Sequence, residues 1–226
     1  MPALVSPLLE GASAAVPSGP TLLAFTLAGL VLFVTPGPDM SLFLARTLQG
    51  GRRAGLASML GANLGIVVHT ALVAVGLSAV ILASPAAFTA LKAVGGGYLL
   101  WLAFDAIRRG SRLSLPGSAE APPSFARAFW VGLSVNLSNP KVVLFFMTFL
   151  PQFVAADDPR AGAKLVFLGL WFAVVISVPL GVLMVLGAER LIAQLRARPR
   201  LLRGIDYLFA GVFGAFALKI FTAQAR

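Results

Sequence analysis

The sequence predicts an all-α, polytopic membrane protein of six transmembrane helices, arranged as two inverted three-helix repeats with helices one and four broken. Three observations carry this. Hydrophobic residues make up 58% of the 226 and charged residues 12%, against the roughly 25% charged of an ordinary soluble domain. The apolar residues come in blocks of about 20, and about 20 residues at 1.5 Å each cover a hydrocarbon core of roughly 30 Å. The blocks are continuously apolar rather than alternating, which disfavours a β-barrel.

Residues 1–20, "MPALVSPLLEGASAAVPSGP", lack the basic start of a secretory signal and hold four prolines and a glutamate. They read as a short, poorly ordered periplasmic leader. Spans follow at 21–45, 55–80, 86–107, 127–153, 162–187 and 204–222. The link between the third and fourth, "RRGSRLSLPGSAEAPPS", is the long, loose one. The chain therefore divides into a first repeat at 21–107, a cytoplasmic linker at 108–126 and a second repeat at 127–226. "FTLAGLVLFVTPGPDMSLFL" in span one lies against "RAFWVGLSVNLSNPKVVLFF" in span four with one residue of slack. Three spans per half is odd, so a true repeat is inverted in the membrane, a recurrent transporter architecture.

Span one contains "VTPGPD" and span four "SNPK". In each, a good capping residue, Thr35 or Asn139, precedes a proline, and proline is favoured at the first helical position. Both segments read as a helix that stops and restarts halfway across the bilayer, with Gly37 easing the first break and Ser138 ending the helix before the second. Backbone freed at that depth is tolerated only against protein or a polar cavity. The motif residues are Thr35, Pro36, Gly37, Pro38, Ser138 and Pro140.

A restarted half-helix presents free N–H groups suited to a carboxylate, and the carbonyls ending the first halves suit an ammonium group or a cation. Asp39 and Lys141 directly follow the breaks, where an unpaired charge is costly. Asp39 sits where helix-start electrostatics favour it. Lys141 does not, so it is expected to meet Asp39 across the pseudo-two-fold or to bind a substrate carboxylate, with snorkelling as the bland alternative. In span two, Asn63 and His69 are the polar residues; His69 suits either a proton relay or hydrogen-bonded packing. Asn136, one turn before Asn139, reads as a cavity-lining amide or interhelical glue. Phe33, Phe43, Phe145 and Phe146 fit an apolar pocket or a lipid face equally. In span three "VGGGYLLW" offers small residues for close helix contact, and Pro179 is expected to kink span five. Asp105 and Asp206 read as solvated or interfacial charges.

The links after spans one, three and five hold twelve arginines, against five Lys or Arg on the other side. This bias puts both termini in the periplasm. The stretch 188–200 fits a basic amphipathic helix on the cytoplasmic membrane surface. The net charge of +10 thus serves orientation, and no nucleic-acid partner is expected. The absence of cysteine excludes disulfides, thiolate metal sites and thiol electron transfer. There is no HExxH or GxSxG, so no enzyme, cofactor or metal site is predicted.

"VTPGPDMSLFLARTLQGGRRAGLASMLGANLG", "LKAVGGGYLLWLAFDAIR" and "GLSVNLSNPKVVLFFMTFLPQFV" resemble the lysine exporter (LysE) family of bacteria, in its homoserine/threonine exporter (RhtB) branch. The resemblance runs from about residue 25 to the C-terminus. It implies an inner-membrane carrier that exports amino acids or their derivatives by proton antiport, through Thr35, Pro36, Gly37, Pro38 and Asp39 in one motif and Asn139, Pro140 and Lys141 in the other. Members often carry a further acidic residue in the second span, which "GANLGIVVHT" lacks, and this makes Asp39 the leading proton site. Expected partners are the amino acid, protons and the bilayer, with homodimerisation open. The alternatives are a divalent metal-ion exporter of the same superfamily and, more remotely, an intramembrane enzyme.

Overall fold

The computed structural model describes residues 16–110, 121–155 and 157–224. Most of the expected leader, much of the expected linker and the extreme C-terminus lie outside these residues. Among the described residues every regular element is helical.

Helix α1, Gly19–Val34, starts with Pro20 in its first turn and stops at Thr35. Thr35 precedes a proline, whose ring drives the residue before it out of the helical region, and its backbone is extended at φ −70°, ψ 119°. The chain restarts at Pro38, the first residue of α2, Pro38–Ala83. This corrects one detail of the sequence reading: Thr35 ends the first half instead of capping the second. Its hydroxyl is engaged backwards, donating to Val31 O at 2.6 Å, and Pro36 and Gly37 bridge the gap.

Helix α2 leaves helical geometry at Gly50 and Gly51, where Gly51 takes φ +70°, a conformation that glycine adopts without a Cβ penalty. The expected link between the first two spans, "RTLQGGRRAG", therefore holds this break, with a short arm of α2 before it and a long arm after it. Helix α3, Pro85–Arg109, is closed at its end by Arg203, which donates to Ala106 O at 3.2 Å and also to Ile107 O. Asp206, 3.9 Å from Arg203, is buried at 1% exposure, where a solvated or interfacial charge was expected. Asp105 does pair with Arg109 at the helix surface, at 3.0 Å.

Helix α4, Phe125–Ser138, and helix α5, Pro140–Leu144, are separated by Asn139, again extended before a proline. Here the cap is as expected, since Asn139 Oδ1 accepts from Lys141 N at 3.1 Å. A π-helical turn, Phe145–Phe149, and a 3-10 turn, Leu150–Phe153, complete this span. Helix α6, Ala161–Trp171, passes through a second π-helical stretch, Phe172–Ser177, into α7, Val178–Leu186. Both π segments precede a proline, Pro151 or Pro179, which lacks the N–H that would continue the α-helical ladder. Helices α8, Ala188–Ala197, and α9, Pro199–Gln224, end the described chain.

Three of these segments, Pro38–Gly76, Ala161–Leu186 and Arg200–Thr222, are long and apolar enough to cross a bilayer. The pair Phe125–Ser138 and Pro140–Phe153, bent by 52°, makes a fourth if it is one span. Helix α1 has 16 residues, short of a full crossing, because the break removes its second half. In α3, Lys92 and three glycines dilute an otherwise apolar face.

Two large apolar clusters organise the interior of the described residues, beside a small one of Ala54, Ala57 and Ala128. One is aromatic, with Phe25, Phe145, Phe146, Phe149, Phe172 and Phe213; Phe145 and Phe149 stack at 4.9 Å. The other gathers Met40, Phe43, Leu44, Met59 and Met184 with Ala188, Ile192 and Leu195 of α8. The apolar face of α8 is thus covered by protein, where the sequence pattern suggested lipid. Around both clusters Leu23, Leu72, Val75, Trp130, Val174 and Leu183 are exposed, a surface that suits hydrocarbon.

Candidate site at the two helix breaks

The long arm of α2 and α4 approach until backbone meets backbone. A Cβ on Gly61 would lie 1.9 Å from Phe129 O, and one on Gly132 would lie 2.1 Å from Ser58 O. Small residues permit such contact between apolar helices. This crossing fixes α4 beside the first break, so that Asn136 reaches Asp39 from the opposite half of the chain.

Asp39 lies in the first turn of α2, where the free N–H groups of a helix start favour negative charge. Its Oδ2 accepts from Asn136 Nδ2 at 2.9 Å. Its Oδ1 is buried with no hydrogen-bond partner in the protein, and so is Asn136 Oδ1, which lies against Gly65.

Lys141 crosses in the other direction. From the start of α5 its ammonium donates to Thr35 O at 2.7 Å and Leu32 O at 3.1 Å, carbonyls left free where α1 stops. It forms no ion pair with Asp39 within 4 Å. The two charges are thus held separately: the negative end of the α1 dipole takes the ammonium, and Asn136 takes the carboxylate.

Asp39, Lys141 and Asn136 line one cavity of about 40 Å³, together with Leu32, Phe33, Met40, Phe43, Phe172, Ser177 and Met184 among others. Room of this size holds water, one molecule of which needs about 10–15 Å³.

Three other expected site residues stand outside the lining. Asn139 is 2% exposed and caps α5. Asn63 donates to Met59 O of its own helix at 2.9 Å, with Oδ1 buried and unpartnered. His69 Nε2 is 3.4 Å from Asn136 O, and the ring stacks on Phe146 with centroids 5.8 Å apart. It thus abuts the polar cluster through a main-chain carbonyl. Ser138 is exposed and donates back to Ser134 O at 2.8 Å. Of the aromatic candidates, Phe33 and Phe43 line the cavity, while Phe145 and Phe146 belong to the core. Phe172, Ser177, Met40 and Met184 were not singled out from sequence; the signal for the first two was Pro179, which marks the π segment that carries them. Among the described residues no three His, Cys, Asp or Glu side chains form a metal-holding group.

An apolar helical bundle in which two broken helices bring a carboxylate and an ammonium to one mostly apolar cavity has the architecture of membrane transport proteins. The chain belongs to the LysE type translocator family, whose model matches residues 30–224. It is 30% identical over 190 residues to the homoserine/homoserine lactone efflux protein of Salmonella typhimurium, covering 84% of this chain and 90% of that one. It is also similar to the uncharacterized membrane protein YahN of Escherichia coli, at 32% identity over 84% of each chain. An uncharacterized membrane protein of Vibrio cholerae is 28% identical over 90% of this chain and 97% of its own length. No solved structure gives a significant match.

Proposed function

We propose that this protein is a secondary exporter that moves amino acids or their derivatives out across the bacterial inner membrane in exchange for protons. It is a carrier and not an enzyme. The observation that carries this reading is the convergence of Asp39 and Lys141, each from a different broken helix, on one cavity. Family membership supports export at the level of the class. The substrates named for the Salmonella relative, homoserine and homoserine lactone, are small polar molecules sharing a primary ammonium.

In this reading the chain crosses the membrane six times as two inverted repeats, with both termini periplasmic. The broken spans are Gly19–Val34 with the first arm of α2, and α4 with α5. Asp39 carries the proton, with Asn136 and Lys141 around it. Substrate enters when the helices around the cavity part, and the binding of proton and substrate biases which side opens.

The test uses the full chain in proteoliposomes loaded with a pH-sensitive dye. A proton gradient is imposed, and amino acids, homoserine lactone and divalent metals are added in turn. The expected result is that a subset of amino acids or the lactone dissipates the gradient with the wild type and not with Asp39→Asn. If only metals move protons, the proposal is wrong.

A further inference from the structure

A break in a membrane helix leaves carbonyls that need a donor, and in this structure one side chain supplies it. Lys141 Nζ donates to both Leu32 O and Thr35 O. It reaches them from the other half of the chain. Gly37 keeps the approach open, since a Cβ there would come within 3.1 Å of the ammonium. Leu32 and Lys141 also line the cavity that Asp39 enters.

The geometry points to a seat for a primary ammonium, built from Leu32 O and Thr35 O, in which Lys141 stands in for the substrate's own ammonium group. This rests on the exporter reading and assigns the part of the substrate that the site recognises. Two carbonyls at a helix C-terminus carry the negative end of its dipole, and an ammonium has three N–H donors to spend. Two go to the carbonyls and one is left for the cavity. A substrate ammonium of the same shape makes the same two bonds. Once displaced, the Lys141 ammonium is released toward the cavity that Asp39 lines.

Both the resting and the loaded states then have the carbonyls satisfied, which the apolar surroundings require. Cargo without an ammonium offers nothing to exchange for Lys141. The seat thus selects on the amine end of the molecule, and the carboxylate end can vary.

The test empties the seat. Lys141→Met removes the ammonium while keeping an apolar stem, and Lys141→Ala, which also leaves no donor, serves where the Met variant does not fold. Each full-length variant is purified in detergent and its Tm followed against methylammonium chloride, tetramethylammonium chloride and sodium chloride. Methylammonium is expected to raise Tm saturably by several degrees in the variants and to leave the wild type unchanged. No shift in a folded variant overturns the proposal, and so does an equal shift with sodium or tetramethylammonium.

A second arm uses the wild type in proteoliposomes. Any amino acid that dissipates the gradient should lose that ability on N-acetylation and keep it as its methyl ester; the opposite pattern overturns the seat. Because the thermal shift needs no transport, a positive shift with silent proteoliposomes removes the exporter reading alone.

Discussion

Asn136 Nδ2 donates to Asp39 Oδ2 at 2.9 Å across 97 residues of sequence. This bond ties the restart of the first broken helix to the last turn before the second break. Removing one partner of a buried hydrogen bond to a charged group costs about 1.5–3 kcal/mol. Asn136→Ala is therefore expected to lower Tm and to cut the export rate by about tenfold or more. Asn63→Ala, which loses only a bond within its own helix, should keep most of the rate. Dye-loaded proteoliposomes and thermal denaturation of both variants check the contrast.

Glycine substitutions should separate contact from composition. At Gly61 the obstacle to a Cβ is Phe129 O, a backbone atom that yields only if the helices part. Gly61→Ala is expected to destabilise by about 1–3 kcal/mol or more. A Cβ on Gly211 meets nothing within 4 Å, so Gly211→Ala should be neutral or stabilise by up to about 1 kcal/mol through helix propensity. Thermal denaturation of the purified variants reads both effects.

Both breaks were legible because proline acts locally: Thr35 and Asn139 are forced out of the helix by the residue that follows each. Asp39 and Lys141 were legible because charge stands out in an apolar run. The partner of Lys141 was not. Its ammonium binds main-chain carbonyls of another helix, and carbonyls leave no mark in a sequence. The same holds for α8: its apolar face is plain from Ile192 and Leu195, but whether lipid or Met40 and Phe43 cover it depends on how the helices pack. Phe172, Ser177 and Met184 are drawn to the cavity by that packing, which helical periodicity does not encode.

At the start of α6, Asp158 accepts from Arg160 N at 2.9 Å and pairs closely with Lys164. The Lys164 hydrogen bond, helped by the Arg160 N–H and nearby positive charge, holds its carboxyl below the ordinary 3.8. A carboxyl depressed on folding adds stability that is present above its unfolded value and is lost as pH falls through the folded one. The wild type should therefore lose stability below about pH 4. Asp158→Asn should flatten part of that loss while lowering Tm slightly at neutral pH. Tm measured from pH 7 down to pH 3 for both proteins tests it.

Helix α8 packs against residues that line the cavity. Ile192 and Leu195 pack into the cluster of Met40, Phe43, Ala62 and Met184, and those four residues also line the cavity. Truncating a buried isoleucine costs about 2–5 kcal/mol, set by how far the surroundings collapse. Ile192→Ala should lower Tm accordingly and, by loosening the cavity floor, speed the decay of an imposed proton gradient without added substrate. Gln194 is on the exposed face of the same helix, so Gln194→Ala should change stability by no more than about 0.5 kcal/mol and leave the decay rate unchanged. If Ile192→Ala loses stability yet leaks no faster, α8 is packing alone and takes no part in closing the cavity.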